Sequence, residues 1–293
     1  MASFANLAGI LLALSSALVW GGSDFIGGLA TRLNARPLAR NQPGSNLFQV
    51  MALSAFSGVL ILIGCVMLWR EPLPSLPSVM WAVMAGVSGA IGIAALYLAL
   101  SIGQAASVAP TAAVIGTILP VLYSIFTEGP PGLVRLAGFG VALGGIWMVS
   151  KPPTQGEQVN RRDFLLACMA GIFFGGFFIL IAQVKAGFVF IPLLASRSAS
   201  FTLAILLMLS RPAPLPSRST SLLALLGGAL DAGGNVFYLL AAHLVRLDVA
   251  VVISSLYPAG TVLLARLLQK EKASSWQWVG VLLCLAAIIL ISL

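Results

Sequence analysis

Pro72-Leu73-Pro74-Ser75 separates two long apolar runs in the first half of the chain, and the same four residues return in the second half as Pro214-Leu215-Pro216-Ser217. In the first run of each half, an offset of 154 places Trp20-Gly21-Gly22 on Phe174-Gly175-Gly176. Around the proline-marked loops, an offset of 141 pairs Gly86 with Gly227, Gly92 with Gly233 and Tyr97 with Tyr238. A nearly constant offset over several helices predicts an internal duplication.

The composition places this duplication in a lipid bilayer. Of the 293 residues, 59% are hydrophobic and only 8% are charged, whereas soluble domains carry about 25% charged residues. A membrane-spanning helix needs about 20 apolar residues. Ten such runs are present, at about 4–29, 45–69, 78–100, 106–126, 133–150, 164–184, 191–209, 221–243, 249–268 and 275–293. The sequence therefore predicts an all-α, polytopic membrane protein with ten transmembrane helices.

The ten helices divide into two groups of five. We expect a first repeat over 1–150, a connecting loop over 151–163 and a second repeat over 164–293. Because five is odd, the second repeat would enter the membrane with the opposite polarity, so the two five-helix repeats are predicted to be inverted. Inverted repeats are typical of secondary transporters, whose binding site lies between the halves near the bilayer midplane. Some channels and membrane enzymes also arose by duplication, and these classes remain as alternatives.

Several other classes of protein are disfavoured by the residues present. The net charge of +8 reflects scarce acidic residues, and the basic residues lie between apolar runs rather than on one face, so we expect no nucleic-acid partner. No phosphate-binding glycine loop precedes any lysine. His243 and three scattered cysteines make no recognisable metal-ligand set. We therefore expect no enzyme, no catalytic residue, no metal and no cofactor.

Ionisable residues inside apolar runs are the first candidates for a site, because they are costly in lipid. Asp24, Arg197 and Asp231 are such residues. Asn235 and Tyr238 follow Asp231 on the same helical face. We predict that Asp24, Asp231, Asn235 and Tyr238 bind substrate. Asp231 could instead be a structural partner of Arg197 or of a backbone donor. Asp24 could be a structural residue, since Thr31 and Arg32 mark a nearby membrane interface, and Arg197 could extend along its helix to the membrane surface.

Aromatic residues at matched positions are the second group of candidates. Trp20 and Phe174 both lie beside paired glycines, Tyr97 and Tyr238 match in the third helix of each half, and Tyr257 precedes a proline. Rings placed in this way would line an apolar cavity suited to a small amphipathic or aromatic solute. Packing within the helix bundle is the alternative for each ring.

A family resemblance follows from these residues. Trp20-Gly21-Gly22-Ser23-Asp24-Phe25 resembles the first-helix pattern of the drug/metabolite transporter superfamily, in its EamA-type exporters. Tyr97-Leu98-Ala99-Leu100 with Ala105 to Pro110 is similar to the family's third-to-fourth helix passage, and Leu256-Tyr257-Pro258 through Glu271-Lys272 to its ninth helix. The chain departs from the pattern at Asp24, where a neutral polar residue is common.

The resemblance implies export of small metabolites by alternating access around a central cavity, with amino acids, including aromatic ones, as the expected substrates. Drugs or nucleotide sugars on the same fold, a passive channel and a membrane enzyme are the alternatives. We expect the protein to function as a monomer in the bilayer of a bacterial cytoplasmic (inner) membrane. If export is coupled, protons are the expected coupling ion and Asp231 their carrier. The competing reading is uncoupled export, with Asp231 bonded to a neighbouring helix.

Basic residues give a prediction of orientation. The odd-numbered loops carry eleven of them and the even-numbered loops four. Cytoplasmic loops are enriched in Lys and Arg, which predicts cytoplasmic odd-numbered loops and both termini outside. The family resemblance favours cytoplasmic termini instead.

Overall fold

The computed structural model describes residues 2–34, 47–102, 105–150, 161–210, 216–269 and 274–292, and within these ranges all regular secondary structure is helical. The helices are α1 Ala2–Asn34, α2 Leu47–Trp69, α3 Leu76–Ile102, α4 Ala105–Glu128, α5 Leu133–Ser150, α6 Arg161–Ile181, α7 Phe190–Ser210, α8 Arg218–Ala242, α9 Leu247–Ser254, α10 Tyr257–Gln269 and α11 Ser275–Ser292.

Ten segments of the described chain are long and apolar enough to cross a membrane, which confirms the predicted all-α membrane fold with ten spans. The ninth predicted span is divided into α9 and α10 by a break at Ser255 and Leu256. Pro258 causes this break, because it has no N–H to donate to the carbonyl of Ser254 one turn earlier. Pro110 and Pro120, in contrast, lie inside a continuous α4.

The alternating direction of the spans defines two membrane faces. Face A contains the connections 70–75, 129–132, 182–189 and 243–246, together with the start of α1 and the end of α11. The start of α1 lies beside the connection 243–246, since a Cβ atom at Gly9 would contact Leu244 and Val245. Face B is the opposite face, at which α1 ends and α2 begins.

Helices of the first half pack chiefly against helices of the second half. α1 packs against α8, and α3 packs against α6. α1 also contacts α9 and α10, and α4 contacts α6. α2 lies against α7, and α5 against α11. Each of these contacts made by a first-half helix therefore has a counterpart made by the corresponding helix of the second half.

Side-chain hydroxyls connect the two halves inside the bilayer. Each donates a hydrogen bond to a main-chain carbonyl of the opposite half, as in the 2.9 Å bond from Ser16 to Gly234 and the 2.7 Å bond from Ser88 to Phe173. Interhelical hydrogen bonds in membranes contribute roughly 0.6 kcal/mol each on average. The donors are Ser16, Ser23, Ser57, Ser88, Ser200, Ser254 and Thr261.

Two glycines allow main chains of the two halves to touch. A Cβ atom at Gly86 on α3 would overlap the carbonyl oxygen of Ser196 on α7, and one at Gly228 on α8 would overlap that of Ser54 on α2. The two glycines are 142 positions apart, as are the two serines. This spacing differs by one from the 141 that aligned Tyr97 with Tyr238. One residue turns a helix by about 100°, so the two offsets bring different faces of the helices into correspondence.

The contact at Gly86 predicts that adding a single methyl group there strongly lowers the stability of the protein. We expect Gly86→Ala to destabilise the protein by more than about 2 kcal/mol, because main-chain atoms have to move apart to relieve the overlap. Gly144→Ala is the matched control, because a Cβ atom there meets no atom within 4 Å. Thermal unfolding of both variants in detergent measures the difference. Equal melting temperatures would contradict the assigned α3–α7 contact.

Candidate functional site

A cavity of about 260 Å³ lies between the two halves of the protein. It is lined by the middle of α8 around Asp231 and by the break between α9 and α10, where Ser255 and Tyr257 face it. First-half helices close the other side, with Trp20 on α1 and Gly116 on α4 among the lining residues. The cavity therefore depends on both halves and on the break before Pro258.

Aromatic rings form the end of the cavity that points to face A. Trp20 stacks on Tyr238 at a centroid distance of 5.9 Å, and Phe178 meets the same tyrosine edge-on at 4.9 Å. Tyr257 meets the edge of Trp20 at 6.4 Å. Tyr238 is fully buried and donates a 3.1 Å hydrogen bond to the carbonyl of Phe178. This cluster joins α1, α6, α8 and α10.

Glycines position the paired rings of the two halves. A Cβ atom at Gly234 on α8 would overlap the indole of Trp20, and one at Gly92 on α3 would lie 2.8 Å from Cδ1 of Phe174. Each ring thus fills the space left by a glycine of the opposite half. The indole N–H of Trp20 also donates to the carbonyl of Asp231 at 3.3 Å. The predicted equivalence of Trp20 and Phe174 corresponds to equivalent packing in the structure.

The charged pair of the cavity is formed by Arg197 and Asp231. The guanidinium of Arg197 on α7 is hydrogen-bonded and ion-paired to the carboxylate of Asp231 on α8. Its side chain is only 11% exposed and passes close to Gly58 on α2, which leaves room for it. Arg197 thus turns into the bundle instead of extending to the membrane surface. Its contact with Asp231 is the one expected if Asp231 is a structural partner of Arg197.

Asp24 occupies a different electrostatic position. It lines the cavity one helical turn beyond Trp20, toward face B, and its side chain is exposed. Among the described residues, no ion pair or hydrogen bond involves its carboxylate. The described lining therefore holds one balanced ion pair and one uncompensated acid.

The remaining predicted residues are placed as follows. Asn235 lines the cavity and donates a 2.6 Å hydrogen bond to the carbonyl of Asp231. Tyr238 is not among the lining residues, because it lies one turn deeper, behind Trp20 and Phe178. The side chain of Tyr97 lies outside the described residues. Trp20, Asp24, Phe174, Asp231, Asn235 and Tyr257 are therefore the predicted residues that share the cavity.

Sequence reasoning missed part of the lining. Phe177 and Phe178 lie in an unbroken apolar helix, where no sequence signal separates a cavity-facing ring from a lipid-facing one. Small hydroxyl residues were also missed, because serine and threonine are common in membrane helices. The matched spacing of Ser54 and Ser196 was the available signal for two of them. The missed hydroxyl residues are Ser23, Ser54, Thr117, Ser196, Ser200 and Ser255.

An acidic clamp links the two halves at face A. Glu71, which follows α2, accepts hydrogen bonds from the main-chain N–H groups of Val189 and Ile191, both at 2.6 Å, and from that of Phe190 at 3.1 Å. These groups form the N-terminus of α7, where a negative charge is stabilised by the helix dipole. The clamp fastens the first half to the second at this face.

A basic clamp makes a second link at face A. Arg246, at the start of α9, donates to the carbonyls of Glu128 and Gly129 at 3.2 and 2.7 Å, where α4 ends. Its guanidinium is also ion-paired with Asp248 at 2.9 Å. The hydrogen bond to Asp248 raises the pKa of Arg246 further above its ordinary value, so the clamp is charged at all physiological pH values.

His243 lies beside the two clamps. Its Nε2 is 3.0 Å from the carbonyl oxygen of Val184. Burial lowers the pKa of His243 below its ordinary value, although the bond to Val184 opposes that shift. The imidazole is therefore neutral at pH 7, and it adds no charge to this end of the cavity.

Comparison with known proteins finds a family match over the second half of the chain. Residues 162–293 match the profile of the EamA-like transporter family. A crystal structure with 19% sequence identity has a TM-score of 0.74 over 96% of this chain and 95% of that chain, a likeness that shows the fold alone. No curated protein sequence matches the chain. The predicted resemblance to EamA-type transporters is confirmed over the second half, from α6 to α11, and the ten apolar helices of the described residues indicate an integral membrane protein.

The Arg197–Asp231 pair predicts a non-additive effect on stability. Asp231→Asn leaves a positive charge without a counter-ion in the bundle, which costs about 3–5 kcal/mol. We expect the double variant Arg197→Gln/Asp231→Asn to recover at least half of the lost melting temperature, because it removes both charges. Thermal unfolding of the single and double variants in detergent gives the coupling. A double variant no more stable than Asp231→Asn would be inconsistent with the pair.

Proposed function

We propose that the protein is a secondary transporter that exports small metabolites, most of all amino acids including aromatic ones, by alternating access around the central cavity. It would act as a monomer in a bacterial cytoplasmic membrane. The observation that carries the proposal is a cavity between the two halves that combines aromatic rings with charged groups and is closed toward one membrane face.

Closure at face A favours a transporter over a passive channel. The aromatic cluster fills the space directly beyond the cavity, and the clamps at Glu71 and Arg246 lie beyond it. A channel needs a continuous water-filled path, whereas a transporter exposes its site to one face at a time. At the other end of the cavity, Asp24 is exposed, which fits access from face B.

The packing of the helices supports the proposed inverted repeat. The contacts of α1 with α8 correspond to those of α6 with α3. The close main-chain contacts at Gly86 and at Gly228 are also related by one offset, since both the glycines and their serine partners are 142 positions apart. Two related halves that exchange roles would close the cavity first at one face and then at the other. In transporters with inverted repeats, rocking of one half against the other produces alternating access.

The size and lining of the cavity favour amino acids among the candidate solutes. Pockets for drug-sized ligands occupy roughly 300–1,000 Å³, so a cavity of about 260 Å³ suits a smaller molecule than a nucleotide sugar or a large drug. Phe174 and Phe177 offer ring faces to an apolar or aromatic side chain. Charged and hydroxyl groups in the same space offer partners for polar ends of the substrate.

The direction of transport follows from the basic residues. Loops at face B carry eleven basic residues and those at face A four, so face B is proposed to be cytoplasmic and both termini to lie outside. The cavity would then be accessible from the cytoplasm, as an exporter requires for loading.

Proton coupling stays a proposal. The contact between Asp231 and Arg197 supports the competing reading, because a proton would have to displace a bound guanidinium. Uptake into vesicles with and without an imposed pH gradient distinguishes coupled from uncoupled export.

Transport in reconstituted vesicles tests the function. We expect saturable movement of labelled phenylalanine without ATP, and a decrease of at least about tenfold for Trp20→Ala, which removes the indole that packs at the end of the cavity. Trp276→Ala is the matched control, because that ring is 64% exposed on α11. Movement of nucleotide sugars or large cationic drugs but of no amino acid would overturn the substrate class. Ohmic single-channel currents would overturn the transporter.

The clamps predict a shift in conformation. Glu71→Gln weakens three hydrogen bonds to a charged acceptor, each worth about 1.5–3 kcal/mol, and so favours the state open at face A. The reporter is Val184→Cys, which is 2% exposed in the closed state, in a background in which the three native cysteines are replaced by alanine. We expect at least about tenfold faster labelling by a water-soluble maleimide. Arg135→Gln at the same face is the control, and equal rates would contradict a gating role.

A further inference from the structure

Among the charged residues of the cavity, Asp24 differs in having no counter-charge within the described part of the chain. Asp231 is satisfied by Arg197, and both belong to the second half of the chain. The Asp24 carboxylate belongs to the first half and lines the same cavity. Within the described residues it accepts no hydrogen bond. The hydroxyl of its neighbour Ser23 is not available to it, because that hydroxyl donates to the carbonyl of Gly227 at 2.9 Å.

The surroundings of Asp24 suit a cation. Asp24 follows Trp20 by four residues, so the two side chains lie on the same face of α1. Tyr257 lines the same cavity as Asp24, and its ring meets that of Trp20 at 6.4 Å. Aromatic faces attract ammonium groups within about 6 Å of the ring centre. The cavity lining thus combines a carboxylate with aromatic rings, which are the two kinds of partner that an ammonium group prefers.

The charge balance of the cavity points to the same ligand. A carboxylate without a counter-ion is unfavourable in a membrane protein, and a substrate cation would remove that cost. An anionic substrate finds no equivalent partner, because the guanidinium of Arg197 is already bound to Asp231. The described lining therefore favours a ligand with a positive group and gives a carboxylate no free cation.

We propose that Asp24 is the ammonium subsite of the cavity, so that the amine is the required group of the substrate and the carboxylate is dispensable. This inference rests on the proposed function and narrows its substrate class to molecules with a primary amine next to an apolar or aromatic body. The aromatic body would lie toward Phe174 and Phe177, which line the same space.

Three matched probes test this assignment. Phenethylamine carries only the amine, 3-phenylpropionate only the carboxylate, and phenylalanine both groups on the same ring. Their binding to the purified full-length protein in nanodiscs is measured by calorimetry. We expect phenethylamine and phenylalanine to bind, and 3-phenylpropionate to bind at least about tenfold more weakly, which corresponds to about 1.4 kcal/mol.

Variants at Asp24 identify the residue responsible. Asp24→Asn keeps the size of the side chain and removes its charge, and we expect it to weaken binding of both amines by at least about tenfold while leaving 3-phenylpropionate unchanged. Asp24→Glu keeps the charge, and we expect it to retain most of the amine affinity. Melting temperatures of both variants confirm that they are folded, and comparison of the two separates loss of charge from loss of packing.

The outcomes separate this inference from the proposed function. Equal affinity of the wild-type protein for phenethylamine and 3-phenylpropionate, no binding of phenethylamine, or wild-type affinity in Asp24→Asn would each overturn the ammonium subsite. Asp24-dependent binding of amines without transport of any amino acid would support the subsite and reject amino-acid export. Amino-acid transport that is unchanged in Asp24→Asn would support amino-acid export and reject the ammonium subsite.

Discussion

The structure depends on satisfying polar groups where no water is present. Inside the bilayer, hydroxyls such as those of Ser16 and Ser88 donate to main-chain carbonyls of the opposite half. These bonds are short only because small residues let the helices approach, as at Gly86 and Gly228. Lipid gives no hydrophobic drive for helix association, so these contacts and the dispersion energy that comes with them hold the halves together. The same helices line the cavity, and the interface between the halves is therefore also the site.

The break before Pro258 shows how this constraint is relaxed at the cavity. An interrupted membrane helix leaves main-chain groups without helical partners, which is tolerated only where protein or a cavity surrounds them. Here α9 is almost fully buried, and the hydroxyl of Ser254 donates to Ala13 on α1. The interruption brings Ser255 and Tyr257 into the cavity wall. A continuous helix would have turned one of them away, since residues two positions apart do not share a helix face.

Sequence predicted the fold more fully than the site. The number and bounds of the spans follow from apolar length alone, which the bilayer fixes. Polar and aromatic residues within spans are conspicuous, and Trp20, Asp24 and Asp231, which stand out in this way, line the cavity; that they bind substrate stays a prediction. The sequence pattern does not indicate how far along a helix the cavity extends, and Tyr238 lies one turn behind the lining residues. The rotation of apolar helices was not encoded either, which is why Phe177 and Phe178 were missed.

The two halves agree in packing and differ in charge. At the offsets that relate the helices, Asp24 corresponds to Phe178 and Arg197 to Ala55, so an apolar residue occupies the equivalent position in the other half in each case. The frame that holds the halves together is therefore shared, whereas the electrostatic character of the cavity comes from departures from the repeat. Since Asp24 belongs to the first half and the Arg197–Asp231 pair to the second, any movement of one half against the other changes their separation. A substrate that contacts both would thus respond directly to the conformation that carries it.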